Sequence, residues 1–206
     1  MRSLFSIASA VLFFLACSLP SAAQDLGGGV RMRYGLEWGY TASFLHSYHN
    51  NYLSEEGERV DEKGLELFYF TNAQAIAHVG VDLLGKYSVA LCSGYIGIKQ
   101  ERRAFPLTLR GSFFFDGYDS DGLFCFLDSG VAIFNGDKNT MIAKCGLGRR
   151  ITLGHGVMLD AGISARLAYD HPSILDRITG RSVDKESLRR NDAAYGGINL
   201  TLDISF

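Results

Sequence analysis

Ala194-Tyr195-Gly196-Gly197-Ile198-Asn199-Leu200-Thr201-Leu202-Asp203-Ile204-Ser205-Phe206 is the stretch on which the fold turns. Ile198, Leu200, Leu202, Ile204 and Phe206 share one face. Tyr195, Gly197, Asn199, Thr201, Asp203 and Ser205 share the other. That is a period of two, the signature of a strand with unlike faces. The same alternation runs through Val157–Tyr169, where Leu159, Ala161, Ile163, Ala165 and Leu167 oppose Asp160, Gly162, Ser164 and Arg166. It is longest at Val30–Phe44. There Met32, Tyr34, Leu36, Trp38 and Tyr40 oppose Arg31, Arg33, Gly35, Glu37 and Gly39 over fifteen residues. Soluble strands average five or six residues, whereas a tilted membrane strand needs about 9 to 11.

Working inward, further strands are expected at Leu65–Leu83, Tyr87–Lys99, Phe105–Phe115, Leu123–Phe134 and Met141–Leu153, eight in all. Tyr87, Val89 and Leu91 are expected to face outward, with Arg149 outward near a turn. Polar loops are expected at His46–Lys63, Gln100–Ala104, Asn135–Thr140 and Asp170–Asp192. Tighter connections are expected at Leu84–Lys86, Asp116–Gly122 and Gly154–Gly156. Loops and turns therefore alternate, which puts the long loops at one end. The polar face carries Gly, Arg and Asp with little Lys or Glu, which suits a crowded interior. Arg31, Arg33, Arg110, Lys144, Arg150 and Arg166 are expected to meet Glu37, Asp82, Asp128, Asp160 and Asp203 there, because a buried unpaired charge is costly.

Met1–Ala23 reads as a cleavable signal peptide, with Arg2, an apolar run Leu4–Ala16, Pro20 and small residues up to a cleavage site after Ala23. Cys17 preceded by Phe14-Leu15-Ala16 fits a lipoprotein pattern poorly. The remaining chain, residues 24–206, is long enough for one domain. A formal net charge of −2 gives no pull toward nucleic acid. Cys92, Cys125 and Cys145 are an odd set, without metal-ligand spacing. Pairing the fifth and sixth strands across Asn135–Thr140 sets Cys125 opposite a residue near Arg150, roughly 17 Å from Cys145, so three free thiols are expected.

On the signal, the period-two strands, the loop asymmetry and the terminal Phe206, the chain resembles the eight-stranded outer-membrane barrels grouped around outer-membrane proteins A and X. It looks more like the short single-domain barrels of Bacteroides-type, Gram-negative bacteria than the enterobacterial forms. The resemblance implies an all-β fold: a closed up-and-down antiparallel transmembrane β-barrel of eight strands in the outer membrane. It also implies contact with outer-membrane lipid, and with the barrel assembly machinery through the last strand ending at Phe206. The resemblance speaks to location more than to role; the role expected is structural, adhesive or surface-interactive, carried by the loops His46–Lys63 and Asp170–Asp192, with the extracellular partner unknown.

Two other classes stay open: a lipid A-modifying barrel enzyme at the outer rim, and a soluble exported lipocalin-like barrel. The enzyme would need a His beside a Ser hydroxyl, and His171 with Ser173, or His46 and His49 with Ser47, are the candidates. No third group is expected to orient either site, so no catalytic residue is assigned. No cofactor or metal site is assigned either. Glu55–Glu62 lacks the spacing of a calcium loop, and Gly27–Gly29 has no strand before it to make a phosphate cradle. His78 near Asp82 reads as a satisfied interior histidine rather than a proton relay.

Overall fold

The computed structural model describes residues 30–99, 102–133, 139–177, 179–184 and 186–206. The signal peptide and its cleavage after Ala23, Cys17, Gly27–Gly29, Gln100 and Glu101, and residues 134–138 lie outside the described residues. The chain folds into eight strands: β1 (Arg31–Leu53), β2 (Arg59–Leu83), β3 (Tyr87–Lys99), β4 (Arg102–Phe114), β5 (Gly122–Ile133), β6 (Thr140–Gly154), β7 (Val157–Asp170) and β8 (Leu188–Ser205). Each pairs antiparallel with its neighbour in sequence, and β1 pairs with β8 to close the ring. Closure leaves no unpaired edge through the body of the wall, the condition for a sheet placed in hydrocarbon.

The stagger follows from the register. Traced from Leu36 through Ala77, Ser93, Leu107, Val131, Met141, Tyr169 and Ala194, the rows return to β1 at Ser47. On the β8 ladder Leu36 and Ser47 answer to Ile204 and Ala194, a stagger of ten residues. Such a stagger tilts the strands by roughly 35–45° and leaves an interior that side chains fill.

The faces are inside out relative to a soluble barrel. Ile163 is 52% exposed and Leu200 58%, whereas Arg33 is 8%, Arg166 4% and Asp203 7% exposed. Trp38, Tyr40, Tyr87 and Leu91 point outward as the alternation requires. A lipocalin-like ligand barrel would hide its apolar face inside, so that reading is corrected. Aromatic residues gather toward the turn end, where Tyr34 stacks on Phe206 at 6.1 Å and Phe113 packs on Tyr87 and Phe115 at 5.2 Å each. Tyr69, Phe105 and Tyr169 face out toward the other end. Two such belts suit two membrane interfaces.

Three expectations are corrected. His46–Lys63 is not a loop: β1 runs on to Leu53 and β2 starts at Arg59. A bulge between Ser43 and Leu45 flips the parity of β1, so the continued strand no longer matches the pattern that precedes it. β8 likewise starts at Leu188, six residues before Ala194, through a stretch whose Arg189 and Arg190 face solvent. Alternation is enforced only where one face meets lipid, and these extensions lie beyond that band. Thirdly, Cys125 pairs with Leu147 and Cys145 with Leu127, which makes the two cysteines diagonal neighbours, about 7–8 Å apart in a regular sheet. The 17 Å separation is therefore wrong, although Cys92, Cys125 and Cys145 are all free.

Candidate surface-interaction site

The lumen is packed with charge in two tiers. Near the turns, Arg33 reaches Asp82 at 2.5 Å. Arg150 grips both oxygens of Asp160 at 2.7 and 2.5 Å, donates to the Tyr118 carbonyl at 2.7 Å and lies 4.1 Å from the Phe114 ring centre. Higher up, Arg110 bridges Glu37 at 2.6 Å and Asp128 at 3.0 Å, and Lys144 approaches Asp128 at 3.1 Å. Gln74 donates to Glu37 at 2.6 Å. The cavity left among these groups is about 40 Å³, room for about three waters. Above lies an apolar layer that includes Ile96, Ile98, Ala132, Ile142, Ala168 and Tyr195. The interior is a packed plug.

Most of the expected pairs come together, with three exceptions. Arg31 turns to Asp119 at 2.9 Å on the exposed turn. His78 lies 2.7 Å from Asp203, not on Asp82, which Arg33 occupies. Arg166 meets no carboxylate among the described residues. It donates to the Gly97 carbonyl at 2.9 Å and the Ser43 hydroxyl at 3.3 Å. The reason is its row, whose cross-strand positions are Lys144 and Gly197.

The feature that leaves the barrel is the β1–β2 hairpin. The β1–β2 ladder continues to Leu53↔Arg59, whereas the β2–β3 ladder stops at Ala75↔Tyr95. Among the described residues, β2 therefore has no β3 partner from Arg59 to Gln74. The tip is a tight turn: Ser54 N donates to Glu58 O at 2.8 Å, Glu58 N to the Ser54 hydroxyl at 3.0 Å, and Gly57 takes a φ of 83°. The last loop braces this blade. Asp176 accepts from Glu55 N at 3.1 Å, Arg177 N donates to the Tyr52 hydroxyl at 3.2 Å, Arg177 pairs with Glu62 at 2.9 Å, and Leu53 N donates to Ser187 O at 2.9 Å. On the inward side His46 stacks on Tyr195 at 4.8 Å with Phe68 edge-on. On the outward side Leu65, Leu67 and Tyr69 are 72%, 82% and 79% exposed.

The rim histidines each have a carboxylate, which corrects the expectation that no group orients them. His49 lies 2.8 Å from Asp61, His171 3.3 Å from Asp192 and His46 3.7 Å from Glu66. The His49 hydrogen bond holds the Asp61 carboxyl below its ordinary value. Burial works against the same shift at Asp192, but hydrogen bonds from Arg190 and Tyr169 outweigh it and keep that carboxyl low. Among the described residues neither candidate serine is hydrogen-bonded to a histidine. Ser47 and His46 are adjacent on a strand and point to opposite faces, and Ser173 is exposed with no hydrogen bond to His171 among the described residues. Three carboxylates of the acidic run already have partners: Glu62 pairs with Arg177, Asp61 hydrogen-bonds with His49, and Glu55 lies 3.8 Å from Arg181. Among the described residues no three metal-ligating side chains converge. Sequence reasoning missed the blade's strands; Tyr48, Tyr52 and Val60, with no proline between them, were the available signal.

No family model matches the chain, and no curated protein matches it by sequence. Solved structures do. The crystal structure of the outer membrane protein OprG from Pseudomonas aeruginosa superposes with a TM-score of 0.51 at 11% identity, over 87% of this chain and 98% of that one. Neisserial surface protein A gives 0.44 at 9% identity, over 84% and 98%. The outer membrane protein AlkL, solved in DMPC lipid bilayers, gives 0.37 at 11% identity, over 82% and 89%. At such identity the first likeness speaks for the fold alone: an eight-stranded barrel of the outer-membrane kind.

Proposed function

We propose that the chain is an integral outer-membrane barrel whose work is surface interaction, structural or adhesive, done by the β1–β2 blade and the loop that braces it. The carrying observation is a blade of β8, β1 and β2 whose β2 edge, among the described residues, has no β3 partner from Arg59 to Gln74, next to the exposed Leu65, Leu67 and Tyr69. Unpaired strand edges attract further strands, and apolar side chains beside them add contact area. A lumen filled by ion pairs argues against a diffusion pore. In this reading the signal peptide is removed after Ala23. The assembly machinery receives the strand ending at Phe206, whose N and O bond Tyr34 O and N at 2.9 and 3.3 Å. The architecture is that of the outer-membrane protein A and X barrels, set in a Gram-negative envelope.

The test uses a cysteine placed at Glu56, in the blade tip, in a chain lacking Cys92, Cys125 and Cys145. A membrane-impermeant maleimide should label intact cells. Shortening the blade by joining the cross-strand partners Asn50 and Glu62 through Asn-Gly should keep the heat-modifiable migration of a folded barrel and abolish cell attachment. Labelling confined to permeabilised cells, or attachment that survives the shortening, would sink the reading. The rival, an enzyme acting on lipid A, draws on the His171–Asp192 pair. It predicts that His171→Ala changes lipid A acyl chains.

A further inference from the structure

One outward row of the wall breaks its own rule. Trp38 pairs with Leu202, Leu202 with Ala161, Ala161 with Arg149 and Arg149 with Leu123. All five side chains face outward, and one is a guanidinium. Arg149 is exposed and has no ion-pair partner among the described residues. Asp121 is near enough to feel its charge but accepts from Thr152 N at 2.6 Å instead. An arginine on the lipid face is costly unless an anion meets it, and a phosphate does so through two parallel hydrogen bonds.

The wall beside Arg149 is hollowed. Ala161 lies with Leu123, Leu147, Ile163, Leu202 and Trp38 in a shallow, open depression of about 720 Å³ on the outer surface. A second depression, floored by Cys145 and Ala165, shares Leu147 and Ile163 with the first and carries it along β6 and β7 away from the turn end. The two shallow apolar depressions run on from Leu123 and Ala161, the cross-strand partners of Arg149, which lies on the side nearer the Gly154–Gly156 turn. That end also holds the Tyr34–Phe206 and Tyr87–Phe113 aromatic contacts, which mark a membrane interface.

We infer that this groove binds one anionic glycerophospholipid of the inner leaflet, its phosphate on Arg149 and an acyl chain along Ala161 and Ala165. The site rests on the membrane-spanning reading above. Charge selects the occupant: an apolar strand or a second barrel would leave the guanidinium unmet, whereas an anionic headgroup with a chain attached satisfies both ends at once.

The experiment is native mass spectrometry of the folded barrel extracted in detergent, supplied with phosphatidylglycerol or phosphatidylethanolamine. Wild type should retain phosphatidylglycerol at least five-fold over phosphatidylethanolamine. Arg149→Gln should erase that preference, Arg149→Lys should keep part of it, and Ala161→Phe should lower retention of both lipids. Equal retention of the two lipids by wild type, or an unchanged preference in Arg149→Gln, overturns the site. A dimer mass abolished by Ala161→Phe overturns it too, in favour of a second copy. Flotation with vesicles separates the two levels: a barrel that fails to float refutes the membrane reading itself. One that floats without preference refutes only the lipid site.

Discussion

Lys144 and Arg166 are direct cross-strand partners inside the barrel, and among the described residues only Lys144 reaches a carboxylate. The lumen thus holds two kinds of buried cation. One is locked in an ion-pair network, and the other is satisfied by a carbonyl and a hydroxyl. They should respond to mutation in opposite ways.

Asp128 is fully buried and holds both Arg110 and Lys144. Asp128→Ala leaves two cations competing for Glu37. Removing one partner of a buried pair costs about 3–5 kcal/mol, so the urea midpoint of the barrel refolded in lipid vesicles should fall markedly.

Among the described residues Arg166 abandons no carboxylate when replaced. Arg166→Met should be neutral or stabilising by up to ~2 kcal/mol in the same urea assay, because a flexible apolar side chain continues the Ile98 and Ala168 layer without a charge to desolvate. A loss as large as that of Asp128→Ala would mean that Arg166 has an anionic partner.

Two glycines give a paired steric test. A Cβ at Gly94 would collide with the Ala75 carbonyl oxygen, at the last rungs of the β2–β3 ladder. At Gly111 nothing lies within 4 Å. Gly94→Ala should cost roughly 1–3 kcal/mol through forced backbone movement and reduce the heat-modifiable fraction after refolding. Gly111→Ala should leave that fraction unchanged.

The blade should loosen in acid. Asp61 and Asp192 both titrate below their ordinary value in the folded chain. A carboxyl depressed on folding contributes stability above its unfolded value and loses it as pH falls through the folded one. The contribution is therefore intact at neutral pH and fades below about pH 4. Hydrogen exchange across residues 46–66 should accelerate between pH 5 and 3, after correction for the intrinsic rate. Asp61→Asn together with Asp192→Asn should remove that pH dependence. Asp61 is half exposed and Asp192 sits partly buried at the rim, so the effect is local and weakens with salt.

The amino-acid sequence by itself determined whatever lipid contact enforces. A strand crossing hydrocarbon must put apolar side chains on alternate positions, so Ile198 to Phe206, Ile163, Trp38 and the outward Arg149 were legible, along with eight strands and a polar lumen. Only the tertiary structure decided what no such constraint writes. β1 beyond Ser43 and β8 before Ala194 stand outside that band, where both faces meet water or protein and alternation lapses, so the blade was hidden in apparent loop. The partner of each interior charge depends on register and stagger. A shift of three positions in the β5–β6 pairing moved Cys125 from Arg150 to Leu147, and the row through Arg166 gave it carbonyls instead of acids. Periodicity is a local property of the chain. Which row meets which is fixed only when the sheet closes on itself.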